Sequence, residues 1–294
     1  MDRKLVEEFK GFCKRLDKKD RVAVLHHSDP DGFCSALVAM KAVEKLTGSK
    51  PVVTEHYEYA NGKQAKEFLK AVKKKKANKL ILVDIAIDGD GNWSKVIEPF
   101  EECLIIDHHK VYKNLSSKKI AFIKAGKISK KDPAQYACSK LCYDLFIKVA
   151  DVSGLDWATC IGIMGDMTFR SWKPFVKKVI AKRKLDLKKL CKLLDTIAAT
   201  EVMAPKRMKT LLNEFYSAKK PKDLLKSKFG KYIASVKKER DLLIYGFGKK
   251  AEYFIDLELF IYEISVKREG IKSYVVNEIS QLNPDKTVIV IQDA

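Results

Sequence analysis

Apolar residues recur along this chain with two alternating periods. Over residues 3–18 they return every three or four positions, the spacing of a helix with one buried face. Arg21–His27 is a short, nearly unbroken apolar run, as in a strand buried on both faces. From Asp31 to Thr47 the helical period returns, with Phe33, Leu37, Met40 and Val43 on one side. Pro51–Glu55 predicts a short strand and Ala60–Lys76 a basic helix. Lys79–Ala86 (KLILVDIA) predicts another buried strand. A short helix at Trp93–Phe100 and strands at Cys103–Asp107 and Ile120–Ile123 complete the series. This alternation predicts an α/β fold, a parallel sheet flanked by helices.

Beyond the last of these strands the pattern becomes helical. Asp132-Pro133 introduces a long helix expected over Ala134–Ala150, and a second is expected over Trp157–Met164. Lys177–Ser217 reads as helical throughout. The lysine-rich segment Lys219–Lys228, with its proline, marks a boundary. After a further helix come a long strand (Glu252–Ser265), a helix (Ser273–Leu282) and a strand (Thr287–Gln292). The expected organisation is a main domain over 1–185, a helical connector over 186–228, and a small, partial α/β domain over 229–294.

Composition narrows the partners. Of 294 residues, 58 are Lys or Arg against 38 Asp or Glu, a formal charge of +20. A field of that sign favours polyanions such as nucleic acid, although solvated lysine-rich helix faces produce the same excess. The run Lys73–Lys76 reads first as such a solvated helix end. No apolar stretch is long enough to span a bilayer, and Met1 is followed by an amphipathic helix. The seven cysteines form no Cys-x-x-Cys pair and read as small buried hydrophobes, which predicts a reducing, cytoplasmic setting without membrane partners.

The chemistry lies where the strands end. VAVLHHSDPDG closes on His27, Asp29 and Asp31; LILVDIAID carries Asp84; CLIIDHH closes on Asp107, His108 and His109. In parallel sheets ligands bind outside the carboxyl ends of the strands, so these side chains are expected to converge. A fourth stretch, IGIMGDMTFRS, adds Asp166 to complete a metal shell and Arg170 to meet a phosphate. Taken singly, each motif also fits a turn or helix cap. Jointly they fit two divalent ions, because clustered carboxylates need cations and oxygen with imidazole suits Mn²⁺ or Mg²⁺. Such a pair clamps phosphorus for in-line attack. His26 alternates with His27 and is expected to face away. His56 carries no motif, Asp88 and Asp90 read as turn residues, and Asp144 and Asp151 as helix-surface or cap positions.

His27-Ser28-Asp29-Pro30-Asp31-Gly32, Asp84, Asp107-His108-His109 and Gly165-Asp166 resemble the four ordered motifs of the DHH phosphoesterase superfamily. The resemblance covers about the first 170 residues. It includes RecJ-type exonucleases, nano-RNA and phosphoadenosine-phosphate phosphatases, cyclic-dinucleotide phosphodiesterases and family II pyrophosphatases. It implies that His27, Asp29 and Asp84 hold one metal, and that Asp31, Asp84, His108 and Asp166 hold the other. His109 would touch the scissile phosphate or protonate the leaving group, and Asp107 would orient a neighbouring histidine. Two cations are implied, Mn²⁺ first and Mg²⁺ as the alternative. Tyr253–Gln292 resembles the start of the smaller domain that follows in many members. There is no Gly-Gly-x-His segment before Ala294, which implies a truncated, split or reduced small domain, and no Ser-Arg-Lys-Lys-Gln segment, which argues against the pyrophosphatase branch.

Three functions follow. The first is a phosphodiesterase acting on single-stranded DNA or RNA from an end, with Tyr57, Tyr59, Trp172 and Phe175 as candidate stacking aromatics. The second applies the same chemistry to short oligonucleotides or a 3′-phosphoadenosine. The third is a non-catalytic scaffold among replication or repair partners. If His26 faces away from the cluster, a stable His26→Ala protein retains near-normal activity in a phosphodiesterase assay; a large loss would reverse the strand's facing.

Overall fold

The computed structural model describes residues 1–294 except Tyr59, Ala60, Asn92, Glu269, Asp293 and Ala294. The stacking candidate Tyr59 and the expected helix start at Ala60 therefore lie outside the described residues. The chain divides into two compact units, Met1–Leu194 with Lys209–Leu225, and Asp195–Met208 with Lys226–Ala294. The segment expected as a connector is thus shared between the two.

In the first unit the apolar runs become five parallel strands: β1 (Val22–His26), β2 (Val53–His56), β3 (Lys79–Val83), β4 (Glu102–Asp107) and β5 (Ile120–Lys124). Their order is β2-β1-β3-β4-β5. β1 and β3 are buried along their whole length, which explains why their sequences show no polar alternation. Ala23, Leu25, Leu80, Leu82, Cys103, Ile105 and Phe122 point to one face and pack with Phe68 and Val72 of the helix Gly62–Lys75. By alternation the intervening residues face the other side, where the helices Pro30–Thr47 and Cys138–Phe146 lie against β1 and β4. All seven cysteines are free thiols, six of them buried. Among the described residues no helix is long and apolar enough to cross a membrane.

Two expected helices are broken for identifiable reasons. The helix expected over Ala134–Ala150 runs only from Cys138 to Phe146, after a 3₁₀ turn at Pro133–Gln135. Its start is fixed because the N–H groups of Cys138 and Ser139 donate to the Asp31 carboxylate at 2.6 and 3.0 Å. These are the free donors that a helix N-terminus offers to an anion. The expected continuous helix over Lys177–Ser217 is three: Phe169–Arg183, Leu187–Met203 and Met208–Ser217. Lys184, in the left-handed region at φ 52°, ends the first, and the second stops just short of Pro205.

The second unit contains β6 (Glu252–Phe254), β7 (Leu259–Ile264) and β8 (Thr287–Gln292), in that order. β6 is antiparallel to β7 and β8 parallel to it. The single long strand expected over Glu252–Ser265 is therefore a hairpin. Its turn at Ile255–Leu257 closes on Glu258, at φ 48°, whose N–H donates to the Ile255 carbonyl. The turn carries no glycine or proline, and Ile255 and Leu257 hide it within an apolar run. Tyr262 and Ile264 pack against Val275 and Ile279 of the helix Ile271–Leu282.

One close approach ties the helix Pro30–Thr47 to β1. A Cβ on Gly32 would lie 2.5 Å from the His27 carbonyl oxygen and 2.7 Å from its Cβ. Backbone is the obstacle, so the clash cannot relax through a rotamer. Gly32→Ala is expected to lower stability by about 1–3 kcal/mol in urea unfolding; an unchanged midpoint would mean the helix shifts freely.

Candidate metal centre

The sheet order reverses between β1 and β3, and such a reversal opens a crevice at the carboxyl ends of the strands. His27 and Asp29 follow β1 and Asp84 follows β3, one on each side of that point. Asp107 ends β4, with His108 and His109 after it. Asp166 enters from the C-terminus of the helix Asp156–Gly165.

The structure brings these side chains into three overlapping groups whose ligand atoms lie within 4.8 Å of one another: His27, Asp29 and Asp84; Asp31, His108 and Asp166; and Asp84, His108 and His109. Asp84 belongs to two groups, as does His108. Within these groups, His108 Nε2 lies 3.4 Å from Asp84 Oδ1, and His108 Nδ1 lies 3.7 Å from Asp166 Oδ2. These separations are too long for hydrogen bonds. Asp84 Oδ1, His108 Nδ1 and Asp166 Oδ2 are buried and have no hydrogen-bond partner. Orphaned buried acceptors facing one another across such gaps are what a cation would satisfy, so the donor set fits divalent metal.

The local backbone is shaped around these positions. Asp84 sits in the left-handed region at φ 61°, and Met167, immediately after Asp166, at φ 57°. Non-glycine residues there carry a modest steric cost, about 1–2 kcal/mol. Gly162 lies against the site: a Cβ there would come within 2.5 Å of Asp31 Oδ1. Asp29 does two things. Its Oδ1 accepts the Gly32 N–H at 2.8 Å as the helix cap, with Pro30 at the first helical position, while Oδ2 lies 3.1 Å from His27 Nδ1. The cap and cluster readings of that motif are both true.

The acids fall into two electrostatic classes. Burial, reinforced by Asp31 and Asp29, raises Asp84 well above the usual carboxylate range. Burial with the same two neighbours pushes Asp166 up to about 9. Asp31 is also raised, by burial and Asp29, despite its backbone donors and His108. For Asp29 and Asp107 burial acts in the same direction but is outweighed. His27 and the Gly32 N–H hold Asp29 low, and His109 and Lys124 hold Asp107 low. Burial opposes the charged form of His27, yet Asp29, Glu58 and Asp84 raise its pKa well above the ordinary histidine value.

Asp107 is completely buried, and its Oδ1 lies 2.7 Å from His109 Nδ1. The same oxygen accepts the His108 and His109 N–H groups. The His109 side chain is 46% exposed, so it is the open end of the cluster. His26 is buried outside all three groups. Its Nδ1 lies 2.7 Å from the His27 carbonyl oxygen, and burial lowers its pKa to about 3. Arg170 is exposed on the first turn of the helix Phe169–Arg183 and is not in the cluster.

Several residues differ from the sequence reading. Asp88 and Asp90 are buried rather than simple turn residues: Asp88 pairs with Lys124 at 2.8 Å, and Asp90 accepts the Tyr57 hydroxyl at 2.6 Å. Tyr57 is fully buried and cannot stack on a base. The Trp172 indole N–H donates to the Gln135 carbonyl, and Phe175 is half-buried against Tyr143. Two participants were missed. Glu58 Oε2 lies 3.3 Å from His27 Nε2, and its Oε1 accepts the Ser28 hydroxyl. Its signal was its place two residues beyond β2, a strand end like the others. Lys124 gave no signal, since a lysine ending an apolar strand reads as a solvent-facing boundary.

The raised carboxylates set a linkage. Metal-free, they hold protons in the fold that the unfolded chain releases near pH 4. Their contribution to stability is therefore lost as pH rises toward the folded value, about 9 for Asp166. Metal must displace those protons and the His27 proton, so it binds better as pH rises. Mn²⁺ is expected to raise Tm more at pH 8 than at pH 6, with Asp84→Asn abolishing most of the shift. Equal shifts at both pH values in the parent protein would contradict this.

A family model described as the DHH family, N-terminal domain, matches residues 21–162. No curated protein matches the chain in sequence. Among solved structures, the exonuclease RecJ bound to manganese superposes with a TM-score of 0.67 at 12% identity, covering 98% of this chain and 80% of that one. RecJ from Thermus thermophilus in complex with Mn²⁺ gives 0.68 at 13%, over 99% of this chain, which spans only 46% of that protein. CDC45 from Entamoeba histolytica gives 0.57 at 10%, over 99% and 84%. At these identities the likeness is one of fold. The family model over residues 21–162 identifies that stretch as a DHH-family N-terminal domain, and its ordered motifs supply most of the ligand groups gathered at the sheet edge.

Proposed function

We propose that this chain is a two-metal phosphodiesterase that cleaves single-stranded nucleic acid from an end. The observation that carries the reading is Asp84: its carboxylate is buried, left without a hydrogen bond on Oδ1, and shared between two candidate ligand groups. His27, Asp29 and Asp84 would hold one divalent cation, and Asp31, Asp84, His108 and Asp166 the other, with Mn²⁺ first and Mg²⁺ as the alternative. Bound there, the cations supply charge neutralisation at the phosphoryl group and an acidified water.

The remaining work falls to the chain's own groups. With Asp107 accepting from Nδ1–H, His109 presents Nε2 outward as the proton carrier. We assign it to protonate the leaving oxygen. Burial lowers the pKa of His109, but the Asp107 hydrogen bond reverses that and leaves it raised, which favours the proton-carrying form. Arg170, exposed nearby in sequence to Asp166, is assigned to a substrate phosphate. The net charge of +20 favours a polyanion such as nucleic acid.

The alternative, a phosphodiesterase for short oligonucleotides or dinucleotides, uses the same site. One assay separates them: Mn²⁺-dependent hydrolysis of a twenty-nucleotide strand, a pentanucleotide and a dinucleotide, with Asp84→Ala alongside. Stepwise release of mononucleotides from the long strand is expected, and Asp84→Ala should lose more than about a hundredfold. Turnover of only the short substrates would favour the alternative. No turnover of any would favour a replication or repair scaffold.

A further inference from the structure

Lys124, the last residue of β5, is completely buried. Its ammonium lies between two carboxylates whose side chains are equally buried. It is 2.8 Å from Asp88 Oδ1, makes a short contact with Asp107 Oδ2, and reaches the Lys110 carbonyl at 3.2 Å. Each carboxylate then uses its other oxygen on a different part of the site. Asp107 Oδ1 holds His109 Nδ1 and the backbone of His108 and His109. Asp88 Oδ2 accepts the N–H groups of Tyr112 at 2.7 Å and Lys113 at 3.3 Å.

Buried charges of this kind persist only when each is compensated, and removing one partner leaves the others exposed to the full desolvation cost. The arrangement therefore behaves as one unit. It joins the turn after β3, the end of β4, the end of β5 and the loop that follows His109. His109 itself is half exposed. Its ring direction depends on Asp107, and the position of Asp107 depends on Lys124. The loop beyond His109 depends on Asp88 in the same way, and it carries Tyr112, which is 61% exposed.

We propose that Lys124 is a positioning residue for the phosphoester reaction. Through Asp107 it aims His109, and through Asp88 it fixes the loop Lys110–Lys113 against the same frame. The proposal rests on the reading of His109 as proton donor to the leaving oxygen.

The test uses two substrates that differ in their need for that proton. A dinucleotide expels an alkoxide and needs it; a nucleoside p-nitrophenyl phosphate expels a stabilised phenolate and does not. In Lys124→Met, kcat on the dinucleotide is expected to fall roughly ten- to a hundredfold. On the p-nitrophenyl ester it should fall by less than about threefold. Amide hydrogen exchange at Tyr112 and Lys113, measured in metal-free protein, should accelerate. Should the single variant not fold, Lys124→Met with Asp88→Asn removes one charge of each sign, leaves Asp107 paired with His109, and should give the same substrate split. An equal loss on both substrates in the variant that folds overturns the proposal. His109→Ala is run beside it. If that variant also loses both substrates equally, the reading of His109 fails instead, and exchange at Tyr112 and Lys113 decides Lys124: unchanged protection overturns it.

Discussion

Carboxylates gathered at one edge of a sheet repel one another and lose hydration, and the structure deals with this in two ways. Asp29 and Asp107 have counter-charges supplied by the chain, from His27 in one case and from His109 and Lys124 in the other. Both are held in the charged form. Asp31, Asp84 and Asp166 lie close to other acids, Asp29 among them, and burial raises all three. His108 cannot serve three acids at once. The second set lacks a full counter-charge from the chain, which is the electrostatic setting that divalent cations would relieve.

Backbone geometry serves that division. Two of the non-glycine residues in the left-handed region, Asp84 and Met167, lie in or next to the cluster. Each turns the chain sharply where a strand or helix would otherwise carry the acid past its neighbours. Gly32 and Gly162 allow the helices Pro30–Thr47 and Asp156–Gly165 to close on His27 and Asp31. Local strain and close packing here serve placement, and the buried strands beneath supply the stability that tolerates them.

The sheet and most of the cluster were legible because both follow short-range rules. Buried parallel strands leave unbroken apolar runs, and acids just beyond such runs must lie at one edge. Asp84 could be singled out because it follows KLILV directly. What was not legible came from pairings distant in sequence. Nothing in KDPAQYACSK says that its helix starts at Cys138; that depends on Asp31, more than a hundred residues earlier. Asp88 resembled a turn residue because its partner, Lys124, lies beyond another strand. The hairpin at Ile255–Leu257 was hidden for a different reason: its turn has no glycine or proline, and Ile255 and Leu257 flank Asp256 with apolar side chains like those of the strands.

Exposure across the cluster orders the chemistry. Asp84 is 2% exposed, the His108 side chain 11% and the His109 side chain 46%. The shared carboxylate lies at the base, the bridging histidine above it, and the outermost imidazole at the rim. On the proposed reading, a phosphodiester approaching from solvent would meet His109 before the buried acids, and its leaving group would depart on the open side. This placement makes rigidity at the rim matter most, because a half-exposed histidine has few packing contacts to hold it. The buried Asp88–Lys124–Asp107 bridge answers that need from below, where solvent does not compete for its charges.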